Sequence, residues 1–341
     1  MTTVSVAMAS YNGAAYIQTQ LESLAKQQYL PDELVVCDDG STDDTVEIVQ
    51  NFSQSAPFPV KIHQNPHNLG YAENFFKAAT HCKGEWIAFC DQDDLWLPEK
   101  LQRAMDAIAY YPHAFLILQN AELCDGALQP LGRTICPPKR GAFTPAQSYG
   151  FSVWPGFLQT VRAEIFHTFP AEGRPESYAP GDGTRPHDKW TCLIAQALGD
   201  SVYLPDSVAL YRRHEATVTG MQEKSSLSQR LEKSHHVGAD YYQHLANVAL
   251  QTQDYLQQLA LREIAPDWQK ALTRRAASFR KIAAIQTARA ALYNAHTAKE
   301  SMIHFCSLLR LRAYRGRPDY AMGYKSALKD IYQLVRTLLT R

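Results

Sequence analysis

Over residues 1–101, short apolar runs closed by turn-forming residues alternate with stretches of helical period. Residues 4–9 read as a strand, ended by Ser10-Tyr11-Asn12-Gly13. Across 15–28, Tyr16, Ile17, Leu21 and Leu24 share one helical face, and Pro31-Asp32 ends that stretch. Residues 33–37 read as a second strand followed by Asp38-Asp39-Gly40-Ser41, and Ser41 or Thr42 is placed to cap a helix over 43–52. A third strand is expected over 60–63, a loop over 68–70 and a helix over 72–81. The fourth strand, 85–90, runs into Asp91-Gln92-Asp93-Asp94.

This β-α-β-α-β-α-β order predicts an α/β fold, a doubly wound, mostly parallel sheet flanked by helices. Ligands of such sheets bind beyond the carboxyl ends of the strands, where strand order reverses. Tyr11, Asp38, Asp39 and the Asp91–Asp94 carboxylates would then project from one edge.

Beyond residue 101 the pattern loosens. A helix is expected as far as Tyr111, where Pro112 stops it, then an apolar strand over 114–119 and a loop-like stretch over 132–149. Residues 171–186, rich in proline and glycine, read as a long loop of the kind that is usually functional or disordered. It leads into His187-Asp188-Lys189-Trp190 and a helix over 191–198. A strand over 207–210 precedes Tyr211-Arg212-Arg213-His214. Residues 222–341 have helical character, clearest where Tyr324, Leu328, Ile331, Tyr332, Val335, Leu338 and Leu339 form one stripe with Lys325, Lys329, Arg336 and Arg341 off it. The expected organisation is 1–221, with halves 1–101 and 102–221, followed by a C-terminal α-helical region, 222–341.

Composition sharpens this division. The net charge is zero, yet residues 222–341 hold 19 Lys+Arg against 9 Asp+Glu, and residues 1–221 hold 15 against 25. An acidic front and a basic back point to two functional parts. The 7 cysteines are scattered without a Cys-x-x-Cys pair, as reduced core thiols are. With no signal peptide and no run of ~18 apolar residues, the expected location is cytoplasmic, free or peripheral on the inner face of the cell membrane. No nucleic-acid module or basic–aromatic pattern is present, so nucleic acid is not an expected partner.

The acidic cluster carries the candidate chemistry. Asp91, Asp93 and Asp94 lie within four positions, and three carboxylates so close repel unless a cation sits among them. Taken alone, such a triplet also fits a solvated acidic turn. There is no Gly-x-Gly-x-x-Gly after the first strand and no Gly-Lys-Ser/Thr. A metal on Asp91 and Asp93 would instead neutralise a diphosphate. Tyr11 offers a flat face for a base, and Asp39 or Asp38 an acceptor for an imide N–H.

The runs VSVAMASYNG, ELVVCDDGSTDDT, NLGYAENF and GEWIAFCDQDDLWLPEKL resemble glycosyltransferase family 2, inverting enzymes of the GT-A fold. The resemblance spans about residues 4–101 and returns more weakly at His187-Asp188-Lys189-Trp190 and Tyr211-Arg212-Arg213-His214. It implies a nucleotide-sugar site in which Tyr11 and Asp39 hold the base, with Asp38 beside it and Asn68 in the third motif. It implies that Asp91 and Asp93 bind Mg²⁺ or Mn²⁺, Asp93 the more direct ligand, with Asp94 supporting. Asp188 matches the catalytic base, and Arg213 and His214 lie where the family contacts the diphosphate. Ala9 stands where Thr or Pro is common and Glu73 where Arg is often seen, which leaves nucleotide preference open. The implied activity moves a sugar from a UDP or dTDP donor to a hydroxyl of a surface polysaccharide or lipid-linked glycan, with a rhamnosyltransferase as first guess. Two alternatives stand beside it. A sugar nucleotidyltransferase uses similar carboxylates but a Gly-rich basic loop that is missing here, and a non-catalytic nucleotide- or glycan-binding protein would need no base.

Overall fold

The computed structural model describes residues 2–135, 141–181, 183–213 and 238–339, so His214 lies outside the described residues. The chain divides into two compact units. One comprises Met1–Thr144, Val153–Glu172 and Pro186–Thr217, the other Pro145–Ser152, Gly173–Arg185 and Val218–Arg341.

In the first unit, β1 (Val4–Ser10), β2 (Glu33–Asp38), β3 (Val60–Gln64) and β4 (Trp86–Cys90) alternate with α1 (Ile17–Ala25), α2 (Thr45–Ser53) and α3 (Tyr71–His81). The strands lie in the order β3-β2-β1-β4, all parallel. Val6, Ala7, Met8 and the β4 residues Ile87–Cys90 are fully buried, which is why these strands read as unbroken apolar runs. The chain builds outward from β1 to β3, then crosses to place β4 on the other flank of β1. The strand order therefore reverses between β1 and β4, where such sheets open a crevice.

The remaining elements are β5 (Leu95–Trp96), α4 (Lys100–Tyr110), β6 (Ala114–Cys124), β7 (Pro130–Thr134), β8 (Gly141–Phe143), β9 (Gln159–Arg162), α5 (Glu164–Thr168), α6 (His187–Leu198) and β10 (Asp200–Arg212). β9 runs antiparallel between β4 and β6, and β10 runs parallel to β6 and antiparallel to β5. The result is a mixed sheet whose β3-β2-β1-β4 half is wholly parallel.

Several local expectations are corrected. α2 starts at Thr45 with no side-chain cap from Ser41 or Thr42, because those two side chains bond Asp38 and Asn12 instead. The strand expected over 114–119 continues to Cys124, and the stretch expected to be loop contains β7 and β8. α6 begins at His187, four residues earlier than its apolar pattern shows. Trp190 is fully buried in the core against Phe76 and Phe166.

The second unit is built on α7 (Ala239–Ala260), α8 (Pro266–Tyr293), α9 (Ala298–Arg310) and α10 (Gly323–Leu339). Pro at the first turn of α8 and a Thr297–Glu300 capping box on α9 set the helix starts. Segments 145–152 and 173–185 are tied to these helices. Arg275 donates to the Ser148 carbonyl (2.7 Å) and Arg185 to the Thr252 hydroxyl (2.9 Å). The buried Asp330 on α10 accepts Arg289 Nη2 at 2.8 Å, the Tyr293 hydroxyl at 3.2 Å and the Tyr314 hydroxyl at 2.8 Å. Among the described residues, no helix is long and apolar enough to cross a membrane.

Candidate active site at the ends of β1, β2 and β4

The loops after the three strands are held by buried polar side chains. Ser10, the last residue of β1, donates its hydroxyl to Asp38, its register partner on β2 (3.0 Å). Asp38 also accepts the Ser41 N–H (2.9 Å) and hydroxyl (2.5 Å), so both its oxygens close the turn. Asp39 accepts Asn65 Nδ2 (2.7 Å) and the Leu69 N–H (2.8 Å) on Oδ1, and the Gly70 N–H (2.8 Å) on Oδ2. Both carboxylates are buried and first of all shape the loops. Asp39 Oδ2, with one bond, keeps acceptor capacity. Asn74 binds the Cys37 carbonyl (2.8 Å) and accepts from Asn65 (2.9 Å), so the buried Asn65 and Asn74 brace the end of β2. Asn68 is exposed and accepts the Gly70 N–H (3.0 Å).

Across the switch point, Gln92 joins β4 to β1. Its amide accepts the Tyr11 N–H and donates to the Tyr11 carbonyl, each at 3.0 Å. Gly13 makes room for it, since a Cβ there would lie 2.2 Å from Gln92 Oε1. The Tyr11 ring is 48% exposed above this clamp.

The carboxylates of Asp91, Asp93 and Asp94 present oxygens within 4.8 Å of one another. Asp94 is completely buried. Its Oδ1 accepts the Arg212 N–H at 3.2 Å, while its Oδ2 is buried with no hydrogen-bond partner. Burial, then the charges of Asp91 and Asp93, push the Asp94 carboxyl well above the usual range. Burial, then Asp93 and Asp188, push Asp91 up to about 8. Burial and mutual repulsion thus disfavour ionisation of Asp91 and Asp94 together without a counter-charge. A divalent cation inverts that balance, and hard oxygen donors with one orphaned buried oxygen fit such an ion.

Asp188 is the second residue of α6, and its Oδ1 accepts the Lys189 N–H at 2.7 Å. Its charge acts on Asp91, so α6 brings it to the acidic cluster from 97 residues away in sequence. The turn is fixed from behind. His187 stacks on Phe75 (4.1 Å) and meets Phe89 edge-on (5.1 Å), and Gln159 donates to the Asp188 carbonyl (3.2 Å). A Cβ at Gly156 would lie 2.4 Å from His187 Nε2, so glycine permits this packing.

Arg213 lies with its guanidinium over Tyr211 (5.8 Å) and its N–H on the Cys124 carbonyl (3.0 Å). The preceding Arg212 is the buried one, donating to the Asp93 carbonyl (2.8 Å) and the Gly126 carbonyl (2.7 Å). Lys100 is buried over Trp96 (4.6 Å) and donates to Gln119 (3.2 Å). Burial pulls its ammonium down to about 7, against the pull of Cys90 and Asp94. Gln92, Arg212, Asn65 and Asn74 were not singled out from sequence. The one available signal was that they flank or sit inside the recognised motifs.

Residues 5–153 match the family model described as "Glycosyl transferase family 2". A dTDP-rhamnosyl transferase, RfbG, of Shigella flexneri is 28% identical over 221 residues, covering 62% of this chain and 73% of the relative. A UDP-Glc:alpha-D-GlcNAc-diphosphoundecaprenol beta-1,3-glucosyltransferase, WfgD, of Escherichia coli is 39% identical over 99 residues, covering 29% of this chain and 38% of the relative. Two further curated relatives are spanned over only 40% and 39% of their length. Among solved structures, TarS 1–349 of S. aureus in complex with UDP is similar with a TM-score of 0.54 at 18% identity, covering 92% of this chain and 89% of that one.

Proposed function

We propose, because residues 5–153 match the family model described as glycosyltransferase family 2, that this chain is a metal-dependent inverting glycosyltransferase. It takes a sugar from a UDP or dTDP donor and delivers it to a hydroxyl of a surface polysaccharide or lipid-linked glycan. The observation that carries the reading is Asp94 Oδ2, buried and unpartnered in a group of three carboxylates at the β1/β4 switch point. The similarity to a dTDP-rhamnosyl transferase makes dTDP-rhamnose the first donor to try.

In this reading Asp91 and Asp93 would hold Mg²⁺ or Mn²⁺ with Asp94 supporting them, and Arg212 fixes the backbone of that turn. The bound cation supplies charge neutralisation for the departing diphosphate. The exposed ring of Tyr11 stacks on the base, and Asp39 Oδ2 accepts its imide N–H. Asn68 and Arg213 border the donor, and His214 is assigned to the same role from sequence. Asp188 takes the proton from the acceptor hydroxyl as that oxygen bonds to the anomeric carbon. The bond from that carbon to the phosphate oxygen breaks on the opposite side, its electron pair leaves with the nucleoside diphosphate, and the configuration inverts. Asp188 suits this task because its turn is set by buried contacts rather than by a loose loop.

Thermal melts with dTDP-rhamnose, UDP-glucose and UDP-GlcNAc, each with and without Mn²⁺, test the reading. One donor is expected to protect only when metal is present. Protection indifferent to metal removes the metal assignment, and release of pyrophosphate in place of nucleoside diphosphate makes the chain a nucleotidyltransferase.

A further inference from the structure

The amphipathic stripe of α10 faces outward. Leu328 is 62% exposed, Ile331 42% and Val335 41%, with Tyr324 and Leu338 on the same line, while Asp330 and Leu334 are the residues that turn inward. On the adjoining helix α9, Met302, Ile303 and Leu309 are exposed as well. An amphipathic helix of a globular protein ordinarily buries its apolar face, whereas the exposed positions of this one leave Leu328, Ile331 and Val335 uncovered among the described residues.

Charge identifies a partner for that face. At 100° per residue, Lys325, Lys329 and Arg336 line one flank of the apolar stripe. Arg310 at the end of α9, and Arg312 and Arg315 in the turn region before α10, stand exposed. From residue 302 to 339 the only carboxylates are Asp319 and Asp330, and both are buried. The surface of this stretch is thus apolar and cationic, with no acidic side chain showing. A second copy docking the same face by a two-fold would bring no exposed carboxylate of this stretch against the Lys/Arg flank. An anionic lipid surface meets both requirements, acyl chains under the apolar stripe and headgroups against the Lys/Arg flank.

We propose that α10, supported by α9 and the arginines between them, is an in-plane docking surface for anionic phospholipid. The helix lies along the interface, with Leu328, Ile331 and Val335 inserted and Lys325, Lys329 and Arg336 at headgroup level. The proposal is independent of the transfer chemistry and stands if the donor assignment fails.

The test is flotation of the full chain with vesicles of phosphatidylglycerol and phosphatidylcholine against phosphatidylcholine alone, at low and high salt. Binding is expected only to the anionic vesicles, weakening with salt. L328E/I331E/V335E is expected to cut vesicle partition more than about tenfold, since several apolar side chains leave the interface. K325E/K329E/R336E is expected to abolish the preference for anionic lipid. All six side chains are exposed, so melting temperature and donor protection should not change. The proposal is overturned if the intact chain fails to float, binds neutral vesicles equally, or floats unaltered with the apolar triple variant. A dimer in solution that the apolar variant dissolves, with no vesicle binding, assigns the face to a second copy instead.

Discussion

The side-chain amide of Gln92 exchanges two hydrogen bonds with the backbone of Tyr11, both at 3.0 Å, and so locks the end of β4 to the end of β1. The pairing imitates one rung of a sheet ladder just past the point where the ladder stops. It fixes the backbone under the Tyr11 ring on one side and the Asp91–Asp94 turn on the other. In the proposed function, one side chain thereby sets the spacing between the base platform and the metal ligands.

That arrangement makes Gly13 and Gln92 a single unit. Gly13→Ala puts a Cβ against the end of the flexible Gln92 side chain, which moves away and releases Tyr11. Gln92→Ala removes the same clamp directly. Each is expected to weaken donor protection about tenfold, the worth of roughly one lost net hydrogen bond. The double variant should be no worse than either single one. Full additivity in nucleotide binding would show that Gly13 acts through something other than Gln92.

Metal binding should depend on pH with a defined sign. Burial, Asp93 and Asp188 raise the Asp91 carboxyl to about 8, against about 3.9 in an unfolded chain. Between those values the folded, metal-free protein holds a proton that the unfolded chain has lost, so stability from this group falls as pH rises and levels off above about 8. A cation competes for the same oxygens. Mn²⁺ affinity, read by calorimetry, should rise up to about tenfold per pH unit between pH 6 and 8, then flatten. A flat profile from pH 6 would show that Asp91 is already ionised there.

Much of this site was legible from sequence. The β1, β2 and β4 ends could be placed on one edge because fully buried parallel strands leave unbroken apolar runs such as Trp86–Cys90. β9 was not legible. Its Gln159 and Thr160 are buried within the sheet, and no period-2 alternation marks a strand whose polar residues face inward. Asp188 could be reached only through the family resemblance. What positions it is the packing of His187 on Phe75 and Phe89, three residues far apart in sequence. The stripe on α10 was legible as a pattern, but a pattern does not say which way it faces. The buried network of Asp330 with Arg289, Tyr293 and Tyr314 turns it outward.

Glu33 offers a test of the scaffold apart from the chemistry. It sits 5% exposed at the start of β2, accepts the Ser5 hydroxyl at 2.7 Å and the Lys83 N–H at 2.5 Å, and pairs with Lys61. Burial alone would raise its carboxyl, yet Lys61, Lys83 and Ser5 outweigh it and the group lies below its usual range. A depressed folded-state value stabilises the protein above the unfolded value and loses that stabilisation as pH falls through the folded one. Glu33→Gln is therefore expected to cost about 1–3 kcal/mol at pH 7 and progressively less below pH 4. Denaturant melts at the two pH values would sink the assignment if the cost were constant.

Asp188 carries the sharpest prediction because one substitution should move two readouts in opposite directions. Asp188→Asn keeps the side-chain oxygen that accepts the Lys189 N–H and leaves His187 in its aromatic pocket, so α6 should start unchanged. With no base to take the acceptor proton, transfer should fall about 10²–10⁴-fold, while the donor with Mn²⁺ still protects against melting. The same change removes a negative charge that raises Asp91. The Asp91 carboxyl should then ionise at lower pH, and the rise in Mn²⁺ affinity should shift toward acid by a measurable fraction of a unit. A purely structural Asp188 would lower donor protection along with transfer, and a base too far from the cluster to matter electrostatically would leave the Mn²⁺ profile where it was. Loss of transfer together with an acid-shifted metal profile is the outcome that a base facing the metal cluster requires.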